Sequence, residues 1–208
     1  MKNVAGYYFI TDSTLSRKGT LYDVEQACKA GVSVIQYRQK IGSTLDLLNE
    51  ALLLRKMISP PVLFLVNDRV DIASAVYADG VHLGQDDMPC KRARQLLGSE
   101  KIIGVTVHTV EEAEQAVNDG ADYLGVSPIF STSTKEDAGI PAGIGLLRNI
   151  RTKCSLPLVA IGGITLENAE KVISAGADSI CAISAVVSSS DVYGTILAFQ
   201  SLFQHGSE

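Results

Sequence analysis

The segment VLFLVNDRVDIASAVYADGVHLG, from Val62 to Gly84, carries the clearest fold signal in the chain. It joins an apolar run at Val62–Asn67 to an amphipathic stretch at Val70–Val76 and a second apolar run at Val81–Gly84. Near-continuous apolar runs are typical of parallel strands that are covered on both faces. The segment therefore predicts a strand, a helix and a parallel strand in succession.

The same alternation continues in both directions from this segment. The other predicted strands are Tyr7–Thr11, Val34–Arg38, Ile102–Val107, Tyr123–Val126, Leu158–Ile161 and Ser179–Ile183. The other predicted helices are Tyr22–Ala30, Leu45–Ile58, Lys91–Leu97, Val110–Asp119, Gly145–Lys153, Leu166–Ala175 and Asp191–Phe203. This pattern predicts a single α/β domain over residues 1–208, a (β/α)8 TIM barrel with its active site at the C-terminal ends of the strands. A doubly wound open sheet ranks behind it, because no Gly-x-Gly-x-x-Gly follows the first strand.

The composition fits one globular enzyme domain. The 208 residues are 46% hydrophobic and 20% charged, which is enough for a large core. The net charge of −5 argues against a non-specific nucleic-acid or anionic-membrane binder. No apolar run has the length of a membrane span and no signal-peptide pattern is present, so we expect a cytoplasmic protein, compatible with a homo-oligomer. The four scattered cysteines are interpreted as small core residues rather than a metal site or a catalytic thiol.

Polar residues at the strand ends form the list of candidate site residues, because strand ends converge on one face of such a barrel. Gln36, Arg38 and Lys40 alternate, so an extended segment would direct all three toward the same side. If that side faces the barrel interior, Arg38 and Lys40 suit a phosphate ligand. The alternative is a solvated strand end with exposed charges.

Two carboxylates follow the third and fourth predicted strands. Asp68 and Asp87 would lie at neighbouring strand ends, where an oxygen-ligand site for Mg²⁺ is expected. Helix N-capping is the alternative, because Asp71 and Asp86 lie near helix starts. We assign metal binding to Asp68 and Asp87, and capping or surface roles to Asp71 and Asp86.

Two further regions predict phosphate contacts. The hydroxyl-rich loop Ser127–Lys135 offers hydroxyl, backbone N–H and ammonium donors, and we interpret it as a lid over a pyrophosphate. Gly162-Gly163 and Ser184 follow the seventh and eighth strands, the usual phosphate site of these barrels. His108 is a candidate ligand contact or general base. The sequence predicts a hydrogen-bonded core role for His82.

Eight motifs, in order along the chain, are similar to those of one enzyme family. They are YYFITD at Tyr7, IQYRQK at Ile35, VNDRVDIA at Val66, ADGVHLGQDD at Ala78, IGVTVHT at Ile103, ADYLGVSPIFSTSTK at Ala121, VAIGGI at Val159 and ISAV at Ile183. Over essentially its whole length the chain resembles the thiamine-phosphate synthase (thiamine-phosphate pyrophosphorylase) family. The resemblance implies a TIM-barrel transferase that joins 4-amino-5-hydroxymethyl-2-methylpyrimidine diphosphate to 4-methyl-5-(2-phosphoethyl)thiazole and releases pyrophosphate.

The resemblance also implies a role for individual residues. Gln36, Arg38, Lys40 and Asn67 would hold the pyrimidine diphosphate, with Tyr8 lining the pyrimidine pocket, and Asp68 and Asp87 would bind Mg²⁺. The thiazole phosphate would contact Thr132, Thr134, Gly163, Ile183 and Ser184, and Lys135 would contact the leaving diphosphate. The residues implied in catalysis are Lys135, Arg38, Lys40 and Thr106, of which Thr106 also binds substrate.

Three positions depart from the family pattern. Thr106 stands where Ser is usual, Ser127 replaces a usual Gly, and Ser131 replaces a common Pro. The residues suit a dissociative reaction, since several cations and a predicted metal site occur without a convincing catalytic Ser, Cys or His arrangement. The rival functions are a thiazole tautomerase-like isomerase and a non-catalytic barrel that binds a phosphate ligand. The isomerase would not need Asp68, Asp87, Arg38 or Lys40.

Overall fold

A computed structural model describes residues 4–132 and 140–204. Its strands are β1 (Gly6–Ile10), β2 (Val34–Tyr37), β3 (Leu63–Asn67), β4 (Gly80–Leu83), β5 (Ile102–Val107), β6 (Tyr123–Val126), β7 (Leu158–Ile161) and β8 (Ser179–Cys181). Its helices are α1 (Thr20–Lys29), α2 (Thr44–Met57), α3 (Val70–Ala75), α4 (Cys90–Leu97), α5 (Val110–Asn118), α6 (Gly143–Lys153), α7 (Ala169–Ile173), α8 (Ile183–Val187) and α9 (Val192–Ser201).

The strands form a closed parallel barrel in sequence order, which confirms the predicted TIM barrel. The barrel closes where β1 pairs with β8, with Gly6 opposite Ser179 and Tyr7 opposite Ile180. Alternate strand residues therefore face either the barrel interior or the surrounding helices.

This alternation divides the core into two parts. One apolar cluster lies between the strands and the helices, and includes Phe9, Phe64 and Leu124. The other fills the barrel interior with side chains such as Tyr8, Leu65 and Tyr123. Cys90 belongs to the outer cluster and Cys181 to the inner one, as expected for small core residues.

The end of the chain differs from the prediction of strictly alternating strands and helices. The strand predicted at Ser179–Ile183 ends at Cys181, and Ile183 begins the additional helix α8, before α9. Helix α7 also begins later than predicted, at Ala169, because Thr165 and Asn168 form a turn through the Asn168 N–H and the Thr165 carbonyl. Both differences lie beside the candidate site, at the ends of β7 and β8.

Three aspartates at the opposite end of the barrel repeat one arrangement. Asp79, Asp122 and Asp178 each precede an even-numbered strand and accept the backbone N–H of the preceding odd strand, from Phe64, Ile103 and Leu158 respectively. Each aspartate also forms an ion pair with an arginine near the end of helix α2, α4 or α6. The pairs are Arg55–Asp79 at 3.0 Å, Arg94–Asp122 at 2.5 Å and Arg151–Asp178 at 2.9 Å. The repeat fastens helices to strands away from the site.

Candidate active site

A cavity of about 250 Å³ opens at the C-terminal ends of the strands. It is lined by most of the residues predicted for the site: Gln36, Arg38, Lys40, Asn67, Asp68, Asp87, Thr106, Thr132, Gly163, Ile183 and Ser184. Thr134 and Lys135 lie outside the described residues. The barrel therefore brings together groups that are far apart in sequence, at the end where such barrels carry their active sites.

The two cations at the end of β2 are each held by a carboxylate. Arg38 Nη1 contacts Asp12 Oδ2 at 2.9 Å, and the Asp12 side chain is only 5% exposed. Lys40 Nζ contacts Asp68 Oδ2 at 2.6 Å, although half of the Lys40 side chain is exposed. The strand ends at Tyr37, so Arg38 and Lys40 lie beyond the extended segment that was predicted to align them. Both nevertheless line the cavity.

The two carboxylates predicted to bind metal lie beside each other. Asp68 has a left-handed backbone conformation, with φ of 61°, which Asp tolerates better than most residues. The Asp87 carboxylate accepts the Gly84 N–H at 2.7 Å. Burial raises the pKa of Asp87 above its usual range, and the hydrogen-bonded Asp68 carboxyl raises it further.

This pair has the chemistry that Mg²⁺ requires. Mg²⁺ is bound in proteins by one or two carboxylates and completes its shell with water and phosphate oxygens. The repulsion that raises the Asp87 pKa is relieved by a cation between the carboxylates, and the cavity leaves them accessible to a ligand. Within residues 4–132 and 140–204, no group of three or more His, Cys, Asp or Glu side chains is placed to hold a metal ion. The Asp68–Asp87 pair therefore fits Mg²⁺ shared with a substrate.

The other two aspartates of this region do not act as helix caps. Asp71 lies in the first turn of α3 and pairs with Arg69 at 2.6 Å, which lowers the pKa of Asp71. Asp86 is exposed and lines the cavity, and the residue that caps α4 is Pro89. Asp71 has a local structural role in the form of an ion pair, and Asp86 has the predicted surface position. Asp86 also borders the cavity, which the sequence did not indicate.

Tyr8 differs from its predicted position, whereas His82 makes its predicted hydrogen bonds but also borders the cavity. Tyr8 does not line the cavity: it is 1% exposed, and its hydroxyl contacts Gln36 Nε2 at 2.9 Å and the Tyr123 hydroxyl at 2.8 Å. His82 was predicted to be a hydrogen-bonded core residue, and it contacts Tyr123 and Thr106, but it also lines the cavity. The inward direction of the His82 side chain could have been inferred from the alternation along the strand. Val81 and Leu83 face the helices, so His82 between them faces the barrel interior.

The opposite wall of the cavity is built from backbone and small residues. Gly162, Gly163, Ile183 and Ser184 line it, and α8 begins at Ile183. The loop after β6 packs against the glycine pair, since the Phe130 N–H donates to the Gly162 carbonyl at 3.0 Å. A Cβ at Gly163 would lie 2.5 Å from the Ser131 carbonyl oxygen, so the close approach requires glycine. Among the residues that the structure describes, this wall offers short polar groups but no carboxylate.

His108 borders the same cavity at the end of β5. Its Nδ1 lies 2.6 Å from the Ser127 carbonyl oxygen, and its backbone N–H donates to Glu112. A carbonyl can only accept, so His108 Nδ1 carries a hydrogen. The position agrees with the ligand contact that the sequence suggested for this residue.

The helices of the described residues alternate with the strands of the barrel. The longest is α2, with 14 residues, and no helix in residues 4–132 and 140–204 is long and apolar enough to cross a membrane. The closed barrel and the polar cavity at its C-terminal face define the class of protein: this is a TIM-barrel enzyme.

Comparison with known proteins identifies the family. The family model for thiamine monophosphate synthase matches residues 7–186. Thiamine-phosphate synthases from Methanosarcina mazei and Methanosarcina barkeri are 52% and 54% identical over 186 residues, covering 89% of this chain and 78% and 84% of their own lengths. The structure of thiamine phosphate pyrophosphorylase from Pyrococcus furiosus superposes with a TM-score of 0.90 at 37% identity, covering 100% of this chain and 99% of that one.

The chain belongs to the thiamine monophosphate synthase family. It is an enzyme of the transferase type, and the isomerase and the non-catalytic barrel considered from the sequence are not favoured.

Proposed function

We propose that this enzyme joins 4-amino-5-hydroxymethyl-2-methylpyrimidine diphosphate to 4-methyl-5-(2-phosphoethyl)thiazole. The thiazole nitrogen would form a bond to the pyrimidine methylene carbon, and the bond from that carbon to the diphosphate oxygen would break. The products are thiamine phosphate and pyrophosphate. The observation that carries the proposal is one cavity with cations and paired carboxylates on one wall and the Gly162–Ser184 region on the other.

The first wall is assigned to the diphosphate. Arg38 offers a guanidinium that Asp12 holds in place, and Lys40 adds a mobile ammonium. Asp68 and Asp87 would hold Mg²⁺, which when bound would neutralise negative charge on the leaving diphosphate. Asn67 lies in register with His82 on β4 and lines the same cavity, and we assign its amide to the pyrimidine diphosphate.

The second wall is assigned to the thiazole phosphate. Gly163, Ile183, Ser184 and Thr132 line it, and loops after the seventh and eighth strands are the usual phosphate site of this fold. Thr134 stays in this assignment on the resemblance alone, and Lys135 stays assigned to the leaving diphosphate on the same ground. The two phosphate-bearing substrates would then meet over Gln36, His82 and Thr106 at the cavity floor.

A dissociative reaction suits these groups. The aminopyrimidine ring can delocalise positive charge on its methylene carbon, so no protein nucleophile is needed. Arg38 and Lys40 would stabilise the departing diphosphate, and Thr106 and Gln36 would hold the ring. The protein must also keep water away from the cation until the thiazole attacks. On the sequence alone, we place this reaction in the cytoplasm.

The proposal is tested by incubating the purified protein with both substrates and Mg²⁺ and measuring pyrophosphate release. We expect release to stop when Mg²⁺ is chelated. Asp68→Ala should lower the rate about a hundredfold or more, because it removes half of the carboxylate pair. Asp71→Ala is the matched control, since this carboxylate pairs with Arg69, and it should keep nearly the full rate. Undiminished release from Asp68→Ala would overturn the metal assignment.

A further inference from the structure

Five polar side chains from five strands are connected beneath the cavity floor. Gln36 Nε2 lies 2.9 Å from the Tyr8 hydroxyl, which lies 2.8 Å from the Tyr123 hydroxyl. The Tyr123 hydroxyl lies 2.8 Å from His82 Nδ1, and His82 Nε2 lies 2.8 Å from Thr106 Oγ1. Gln36, His82 and Thr106 line the cavity, whereas the two phenols are buried. The chain of contacts thus links two separate points of the cavity through the barrel interior.

The hydrogen bonds of this chain have one direction. The Gln36 amide nitrogen donates to Tyr8, so the Tyr8 oxygen accepts and its own hydrogen goes to the Tyr123 oxygen. Tyr123 must then donate its hydrogen to His82 Nδ1. If either later link were reversed, a phenol hydrogen buried in the barrel would be left without an acceptor, which is unfavourable.

The surroundings of the two phenols preserve this arrangement. Burial raises the pKa of both Tyr8 and Tyr123 above the ordinary tyrosine value, so both retain the hydrogen that they donate at neutral pH. Two glycines on neighbouring strands leave room for the chain. A Cβ at Gly104 would overlap the Tyr123 phenol, and a Cβ at Gly125 would lie 3.0 Å from His82 Cε1.

The direction determines what each end offers to a ligand. Because His82 Nδ1 accepts, the neutral ring carries its hydrogen on Nε2 and donates it to Thr106 Oγ1. The Thr106 hydroxyl can then donate its own hydrogen to an acceptor in the cavity. At the other end, the Gln36 amide nitrogen is engaged with Tyr8, which leaves the carbonyl Oε1 as an acceptor. An acceptor and a donor are complementary to the amino group and ring nitrogen of an aminopyrimidine.

We propose that Tyr123 is a positioning residue, which holds His82 as the Nε2–H tautomer and thereby sets the Thr106 hydroxyl as a donor to the pyrimidine. The tautomer of His82 is inferred from the hydrogen bonds alone. That the ligand of Thr106 is the pyrimidine rests on the proposed function. Tyr123 acts through His82 and Thr106 and need not touch the substrate.

Nitrogen-15 NMR of histidine-labelled protein at neutral pH, without substrate, tests the tautomer. His82 is one of three histidines, and its signals are assigned by their loss in His82→Gln. We expect Nε2 to be protonated and Nδ1 unprotonated in the wild-type chain. Tyr123→Phe removes the donor to Nδ1, so the two tautomers should mix. A wild-type His82 with its hydrogen on Nδ1 would overturn the proposal, and this result does not depend on how the variant folds.

Tyr7→Phe is the matched control. Tyr7 is equally buried, and its hydroxyl donates to the Ala182 carbonyl at 3.2 Å, outside the chain. This variant also loses one buried phenol hydroxyl but should leave the His82 signals unchanged. A change of the His82 tautomer in Tyr7→Phe equal to that in Tyr123→Phe would show a general packing effect and contradict the proposal.

Steady-state kinetics then test the consequence for the substrate. In Tyr123→Phe we expect the KM for the pyrimidine diphosphate to rise about tenfold, with the KM for the thiazole phosphate unchanged. Equal rises in both KM values would contradict the positioning role. If the wild-type chain released no pyrophosphate, the proposed function would fail, while the NMR result would still decide the direction of the chain.

Discussion

The Asp87 carboxyl lies in an unfavourable electrostatic environment for a charged group. It is half-buried, it lies against Asp68, and it accepts the Gly84 backbone N–H. Lys40 lowers its pKa slightly but pairs with Asp68 rather than with Asp87. Burial and a like charge together therefore raise the pKa of Asp87, and a bound cation would reverse the effect of both.

Asp87→Asn should raise the melting temperature of the metal-free protein at neutral pH. The folded-state pKa of Asp87 lies above the unfolded value, so its contribution to stability is present below the unfolded pKa and is lost as pH rises through the folded pKa. Asn does not titrate and keeps an oxygen for the Gly84 N–H. Thermal melts in a chelator at a series of pH values measure the difference.

The gain in Asp87→Asn should shrink as the pH falls toward 3.8, the ordinary aspartate pKa. Pyrophosphate release with Mg²⁺ should fall in the same variant, because one of the two proposed metal ligands is lost. A variant that is less stable than the wild type at neutral pH would show that Asp87 is not strained by Asp68 and burial.

Individual side chains differ in how well the sequence located them. Asp68 and Asp87 were predicted for the cavity because they lie just past the ends of neighbouring strands, and both line the cavity. Tyr8 and His82 both face the barrel interior, but Tyr8 is buried whereas His82 borders the cavity. The pattern along one strand indicates which face a side chain occupies but not how far below the cavity it lies.

The loop after β7 illustrates how one element shapes its neighbour. Gly162 and Gly163 have φ values of 103° and 62°, in the left-handed region that favours glycine. The Gly162 carbonyl accepts the Phe130 N–H, and the missing side chains of both glycines leave room for Pro128 and Phe130 of the loop after β6. The sequence prediction treated the glycines as a place for ligand approach, and the structure adds that they seat the neighbouring loop.

Gly162→Ala should destabilise the protein by about 1–3 kcal/mol, because of the strained backbone conformation. Its Cβ would also lie 2.7 Å from Pro128 Cβ, so the loop after β6 must shift and activity should fall. Gly145→Ala is the control: nothing lies within 4 Å of its Cβ, and alanine within α6 should stabilise by about 0.5–1 kcal/mol. Chemical denaturation measures both. Equal stability of the two variants would contradict the argument.

Over the whole barrel, the repeated Arg–Asp arrangement lies at one end and stabilises the fold, whereas the candidate active site lies at the other end. Asp79, Asp122 and Asp178 lie at the N-terminal ends of strands, opposite the cavity. Each carboxylate accepts a backbone N–H of the neighbouring strand in addition to its ion pair. Without the carboxylate, a backbone N–H at a buried strand start would lack a hydrogen-bond partner. These aspartates should therefore contribute more to the free energy of unfolding than ordinary surface ion pairs do.

Asp122→Ala should lower the free energy of unfolding by about 1–3 kcal/mol, since the Ile103 N–H loses its acceptor and Arg94 loses this carboxylate while keeping its backbone carbonyl acceptors. Glu114→Ala removes an exposed ion pair with Lys153, whose side chains are both 54% exposed, and should cost less than about 1 kcal/mol. Urea unfolding measures both variants. Pyrophosphate release by the folded Asp122→Ala protein should match the wild type, and a specific loss of activity would contradict a purely structural role.

The barrel itself could be predicted from the sequence because its signals are local. Each strand is an apolar run of a few residues and each helix an amphipathic stretch, and a closed barrel then sends every strand end to the same face. That is why Arg38, Lys40, Asp68 and Asp87 could be assigned to one site before any distance was known. Helix α8 was not predicted because Ala182 and Ile183 extend the apolar run of β8 into the start of the helix.

The contacts between distant residues could not be predicted in this way. The bond between Tyr8 and Tyr123 joins residues 115 positions apart, and the pairing of Lys40 with Asp68 joins residues 28 apart. Periodicity within one element indicates which residues are apolar or polar, but partners on other strands depend on barrel register and on the space left by residues such as Gly104 and Gly125. Local pattern thus determined the fold and the site's location, whereas long-range packing determined which groups donate and which accept there.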